Sequence, residues 1–249
     1  MRLGTRTLAA AASLAALFAF GPAPVLGQNI ITNGGFENGF FDGVGGVMSL
    51  PNNSFDIDGW QVLGGVSGGI QWLTAANLYG FMPADGMRFL NLVGTSAGAD
   101  NAGIQLGLPL AVLPGHEYQL TFDLGTTAAD HWIYTDPTGL PGPGVQVSIS
   151  GSSAGSQVFY FFGDTSQPNN AGNNRWTVET TGYFEATGYW LSISFSSIGY
   201  GGESFVGLDG VSVVPLPEPS SAGLWSCGLL AFWGRAWRAR RNVPSPLSR

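Results

Sequence analysis

Between residues 118 and 124 the chain alternates strictly: Tyr118, Leu120, Phe122 and Leu124 are apolar, while Gln119, Thr121 and Asp123 are polar. Val145, Val147 and Ile149 alternate in the same way with Gln146, Ser148 and Ser150, as do Leu191, Ile193 and Phe195 with Ser192, Ser194 and Ser196. Successive side chains of a strand point to opposite faces, so this period places one face against a core and the other in water. Further strands are expected over residues 69–74, 88–93, 102–108, 157–162, 176–184 and 205–214. Turn-rich stretches separate them, among them Pro114-Gly115 and residues 137–144, and no long 3.6-residue pattern interrupts residues 28–214. The expected architecture is an all-β sandwich. No fixed-period repeat is present, which disfavours a propeller or solenoid.

Charge is distributed unevenly along the 249 residues. Of sixteen acidic residues fifteen lie between 28 and 214, opposed there by Arg88 and Arg175 alone, a net of about −13; the chain has no lysine. Such a domain repels nucleic acid and anionic lipid. The single cysteine, Cys227, lies outside it, so no disulfide staples the domain and its stability must come from its core or from a metal.

Both ends read as transport elements. Arg2 and Arg6 precede an apolar stretch over residues 8–20, then Gly21, Pro22 and Pro24. This is the pattern of a secretory signal helix spanning residues 1–27, with Val25 and Gly27 small enough for signal peptidase and Gln28 as the first mature residue. A retained anchor is the alternative, although the run is shorter than the roughly 20 residues that cross a bilayer. At the other end stand Pro217, Glu218 and Pro219, an apolar run over residues 222–233, and then Arg235, Arg238, Arg240 and Arg241. The proline triplet cannot lie in a helix or central strand and makes an extended joint. As a helix, residues 220–237 rise about 27 Å against roughly 30 Å of hydrocarbon, a gap that snorkelling arginines close. The arginines stay cytoplasmic and the acidic domain lies outside. An amphipathic tail packed on the domain is the other reading. The whole segment, residues 215–241, resembles the sorting signal of bacterial PEP-CTERM proteins, which implies recognition by an exosortase. Two departures are the disordered tail expected over residues 242–249 and the cysteine within the apolar run.

A second set of motifs spreads over residues 28–214. It comprises Asn33-Gly34-Gly35-Phe36-Glu37, Asp58-Gly59-Trp60, Asp85-Gly86, Phe89-Leu90-Asn91-Leu92 and Gly103-Ile104-Gln105. Pro114-Gly115-His116-Glu117-Tyr118, Phe122-Asp123-Leu124, Arg175-Trp176 and Leu208-Asp209-Gly210-Val211-Ser212-Val213 complete it. In order and coverage the set resembles the choice-of-anchor C family and the related galactose-binding-like jelly rolls of plant cell-wall proteins and carbohydrate-binding modules. Gly210, where the family more often has Asn or Asp, and the long insert over residues 126–144 depart from it.

The resemblance implies a structural calcium ion joining the two ends of the sandwich. Glu37, Asp85 and Asp209 would contribute carboxylates, and Gly35 and Arg88 backbone carbonyls. Ca²⁺ takes six to eight hard oxygen ligands, and clustered carboxylates without lysine call for a cation. The competing reading makes Glu37 a turn cap and Asp209 a solvated side chain.

Sugar binding requires exposed aromatic rings beside hydrogen-bonding groups. Trp60, in a motif resembling the family's core tryptophan, is expected inside, and Trp176 is expected to be structural. Trp132 and Tyr134, in the Pro/Gly-rich insert after His131, are the preferred ligand contacts. Trp72, Tyr79 and Phe81, with Asn77, form a second patch for which core packing is an equal alternative. Loop aromatics could equally meet another protein.

Catalytic motifs are weak. G-x-S-x-G occurs with glycines at 65 and 69, 94 and 98, and 151 and 155, as expected by chance in a chain with 39 glycines and without the strand-to-helix turn of a nucleophile elbow. His116 and His131 have no second histidine at zinc-ligand spacing. A carboxylate pair suited to glycoside hydrolysis is the residual enzymatic alternative. The expectation is a non-enzymatic exported protein, first membrane-anchored through its tail and then displayed or released, whose domain binds polysaccharide or mediates adhesion. A matrix protein making only protein contacts is the rival reading.

Overall fold

The computed structural model describes residues 27–64, 69–93, 102–126, 144–162, 176–198 and 205–216. The expected signal helix, the expected sorting segment with Pro217, Glu218, Pro219 and its arginines, and the insert carrying Trp132 and Tyr134 lie outside the described residues. Gln28–Leu216 form one compact unit.

The described residues contain thirteen strands and no helix: β1 (Val47–Leu50), β2 (Trp60–Leu63), β3 (Ile70–Thr74), β4 (Arg88–Asn91), β5 (Gly103–Leu106), β6 (Leu110–Ala111), β7 (Glu117–Thr126), β8 (Gly144–Ser152), β9 (Gly155–Phe162), β10 (Trp176–Thr180), β11 (Phe184–Glu185), β12 (Trp190–Ile198) and β13 (Val206–Pro215). All the expected strands are present. The stretch 176–184 divides into β10 and β11, and β1, β2 and β6 are additional, each too short to carry a readable alternation.

Two antiparallel sheets form. One has seven strands in the order β1-β3-β4-β13-β7-β10, with β11 also on β7; the other has six in the order β2-β5-β12-β8-β9, with β6 also on β12. Chain-distant strands lie side by side, β13 between β4 and β7 and β12 between β5 and β8. This is the all-β sandwich expected from the alternation, in the jelly-roll form that the resemblance implies.

The inner faces supply one core. Cross-strand registers place Trp72, Leu90, Leu208 and Leu124 in a row on one sheet, and Val62, Ile104, Phe195 and Val147 in a row on the other. All eight are buried. Trp60 is also inside, its ring 5.2 Å from that of Phe36 and its Nε1–H donating to the Asn33 carbonyl at 3.0 Å. A smaller cluster of Leu73, Phe89 and Phe205, with Trp176 and Phe81 against it, covers part of the seven-stranded sheet's other face. The structural role expected of Trp176 follows: its ring meets Phe89 edge-on at 5.7 Å and its Nε1–H donates to the Met82 carbonyl at 3.0 Å.

Charge separates between the sheets. The six-stranded sheet contains no Asp, Glu, Arg or His in any strand, while the seven-stranded sheet carries Arg88, Glu117, Asp123, Glu179, Glu185 and Asp209. Only the pairing of strands far apart in sequence produces this division.

Candidate functional site

Two regions concentrate polar chemistry, one on each sheet. The first is a corner where the N-terminal segment lies along β13. Val211 N–H donates to the Gly34 carbonyl at 3.0 Å, and Asn29 accepts from Val213 N–H at 2.9 Å while its amide donates to the Val211 carbonyl at 3.2 Å. Beneath this cover Asp209 is fully buried. Its Oδ2 accepts from the N–H groups of Ala84 (2.9 Å) and Asp85 (3.1 Å), and its Oδ1 from Gly210 N–H (2.8 Å).

Those amides favour the charged carboxylate, but burial opposes them more strongly, and the charge of Asp123 adds to the opposition. The Asp209 pKa is raised to about 7. Asp123, directly opposite across the β7–β13 pairing, is itself raised by burial and by Asp85. Gly210 has φ +58°, and a Cβ there would stand 2.1 Å from Asp123 Oδ2. Glycine avoids that contact and takes the left-handed backbone without strain.

The implied calcium ligands do meet at this corner, but they are arranged around amides. Glu37 Oε1 accepts from Met87 N–H (2.6 Å) and Arg88 N–H (2.9 Å), and Asp85 Oδ1 turns back to Gly86 N–H at 2.8 Å. Gly35 lies against Asp209, since a Cβ on it would stand 3.8 Å from Oδ1. Arg88 donates its guanidinium to the Glu37 carbonyl at 2.7 Å and lies over the rings of Trp72 (4.8 Å) and Phe41 (5.2 Å). Among the described residues no three His, Cys, Asp or Glu side chains are grouped to hold a metal. As arranged, the donor set does not close around an ion. The reading of Asp209 as a solvated side chain is wrong, because loops on both sides cover it.

The second region is the outer face of the charge-free sheet. Along β12, Trp190, Ser192, Ser194 and Ser196 alternate with buried Leu191, Ile193 and Phe195, so the four share the outward face. Trp190 is 61% exposed. Ser194 faces Gln105 on one side and Ser148 on the other, and Ser196 faces Gln146, which faces Tyr160. A cleft of about 340 Å³ opens on this face, lined by Gln105, Ser148, Ser150, Ser192 and Ser194 among others. The Gln105 amide is held from outside the cleft: its Nε2–H donates to Gln61 Oε1 at 2.7 Å, and Gln61 Nε2–H donates to Asn53 Oδ1 at 3.2 Å. The cleft therefore offers hydroxyls and a held amide, with no ionic charge in the strands that form it, and the exposed Trp190 stands two residues before Ser192 on the same face, outside the cleft's lining.

The ligand patch expected around Trp72 and Tyr79 is not assembled. Trp72 is fully buried and points into the core, its Nε1–H donating to the Phe36 carbonyl at 3.0 Å and its ring meeting Phe41 edge-on. It is not available to a ligand. Phe81 stacks on Phe205 at 4.3 Å, on the other side of the same sheet. Tyr79 is partly exposed and its hydroxyl accepts from Gln71 at 3.2 Å, while Asn77 is buried and holds its own loop. Trp190 belongs to none of the sequence motifs, although the alternation that exposes it begins one residue before Leu191.

No family model matches this chain, and no curated protein sequence matches it. Among solved structures, an apo cyclase from Fischerella sp. is 17% identical with a TM-score of 0.50, covering 77% of this chain and 97% of that one. TmCBM61 in complex with β-1,4-galactotriose is 14% identical with a TM-score of 0.44, covering 75% and 97%. A family 16 carbohydrate-binding module is 15% identical with a TM-score of 0.43, covering 75% and 99%. What this chain shares with the cyclase is the fold.

Proposed function

We propose that the domain is a non-catalytic binding module for a neutral polysaccharide, which it holds across the outer face of the six-stranded sheet. The observation that carries this reading is an exposed Trp190 in line with a file of serine hydroxyls on a sheet without charge. A pyranose presents C–H bonds that stack on an indole, and its hydroxyls exchange water for Ser and Gln partners without desolvating an ion. Trp132 and Tyr134 are further ligand contacts in this reading.

The test is titration with a panel of neutral and acidic polysaccharides, read by tryptophan fluorescence. Neutral glycans should bind, and Trp190→Ala should weaken them about tenfold, the size of one aromatic contact with its buried area. Undiminished binding in that variant, or no binding by the parent, defeats the reading.

We also propose that the chain is exported, cleaved after Gly27 by signal peptidase and processed near the Pro217-Glu218-Pro219 triplet by an exosortase. The residue pattern of the two ends supports this. Intact mass of the protein recovered from its native host should show Gln28 first and the Arg235–Arg241 cluster absent; the mass of all 249 residues would refute it. Calcium is proposed as a conditional occupant of the Asp209 corner. It would need Glu37 and Asp85 to turn from their amides, and it competes with the proton on Asp209, so its hold should strengthen as pH rises.

A further inference from the structure

Strand β9 borders the six-stranded sheet and pairs with β8 on one side. From Gln157 to Phe162 the register with β8 is unbroken; the one irregularity lies at the hairpin end, between Ile149 and Ser152. Among the described residues, no hydrogen bond reaches the other edge of β9. The remaining borders differ. At β2, Asn53 N–H donates to the Val62 carbonyl and Val62 N–H to the Ser54 carbonyl, both at 2.9 Å, so the loop before it closes that edge. Strand β1 has four residues, and β10 carries Glu179.

An open edge presents unpaired N–H and C=O groups, and natural sheets guard such edges with lysine, proline, bulges or shortness. Strand β9 has none of these between 157 and 162. It reads Gln-Val-Phe-Tyr-Phe-Phe, with Val158 and Tyr160 exposed and Phe159 and Phe161 packed against the core. It also sits within residues 137–163, a run with no Asp, Glu, Lys, Arg or His in a domain of net charge about −13. The net charge sets copies of this domain against one another, and this edge adds nothing to that repulsion.

We propose that β9 is a self-association edge. Two copies pair β9 with β9 in antiparallel register about a two-fold axis and join their six-stranded sheets into one continuous sheet. A second copy is the occupant because the two-fold sets an uncharged, β-branched and aromatic strand against its own sequence, where Val158 and Tyr160 can form cross-strand pairs. The glycan faces of the two copies then become neighbours on a single surface, which would give a displayed protein two-site attachment.

The experiment is sedimentation velocity of the full-length chain in mild detergent over a wide concentration range, with amide hydrogen exchange on the same samples. The expected result is a monomer–dimer equilibrium in which exchange slows at residues 157–162 as concentration rises. Val158→Lys sets like charges across the two-fold and should raise the dissociation constant by about tenfold or more. Val178→Lys, the same charge change on β10 of the other sheet, should leave it unchanged. A monomer at every concentration, slowed exchange at a different edge, or equal weakening by both variants would overturn the proposal. Should Val158→Lys fail to fold, the exchange pattern of the parent decides alone. Glycan binding is read separately and can fail without altering this result.

Discussion

In buffer containing a chelator, the domain should lose about 4 kcal/mol of stability as pH rises from about 4 to about 7, the reverse of ordinary acid denaturation. The cause is Asp209, whose pKa is about 7 in the folded state against 3.8 as its unperturbed value. Between those values the folded chain binds a proton that the unfolded chain has released, so stability falls with rising pH. It is fully present below the unfolded pKa and lost by the time the folded pKa is passed. Asp123 and Glu179 are raised as well, both mainly by burial, and push in the same direction. Urea melts at a series of pH values would measure the slope. Asp209→Asn removes the titrating group while keeping one acceptor oxygen for the Ala84 and Asp85 amides, and should flatten most of it. A slope that persists in Asp209→Asn would place the linkage elsewhere. Added calcium should raise the melting temperature more at pH 8 than at pH 5, because the proton and the ion compete for one carboxylate; equal effects at both would count against an ion at this corner.

The fold was legible because alternation is local. Tyr118 to Leu124 and Leu191 to Phe195 declare their inner face within a single strand, and burial follows that alternation residue by residue. Trp190 was legible by the same rule. Trp72 was not, because Trp72 and Leu73 are neighbours and both are buried: β3 is covered on its inner face by the core and on its outer face by the Leu73–Phe89–Phe205 cluster. A strand covered on both sides loses the polar half of its alternation, and with it the sign that tells core from surface. Asp123 and Asp209 lie far apart in sequence and meet through one register, which no motif encodes. The same holds for the charge-free sheet, which exists because β2, β5, β6, β8, β9 and β12 are neighbours in space.

Trp72→Ala should cost about 3–5 kcal/mol, the range for deleting a large buried aromatic, out of the roughly 5–15 kcal/mol that holds a domain together. Three losses combine. The cavity is lined by core side chains that relax only partly, the Phe36 carbonyl loses its donor, and the Arg88 guanidinium loses the ring 4.8 Å beneath it. Trp72→Phe separates these contributions by retaining much of the volume while removing the N–H, and should cost about 1–3 kcal/mol. Neither change reaches the outer face of the other sheet, so protein that remains folded should bind glycan as the parent does. Trp190→Ala should show the opposite pattern, with binding weakened and stability within about 0.5 kcal/mol, since its ring is mostly in solvent. Equilibrium unfolding and glycan titration on the same three variants would resolve the two roles. Loss of binding by folded Trp72→Phe would move the ligand to the seven-stranded sheet, because an indole enclosed between the sheets can affect a distant face only through the fold it supports.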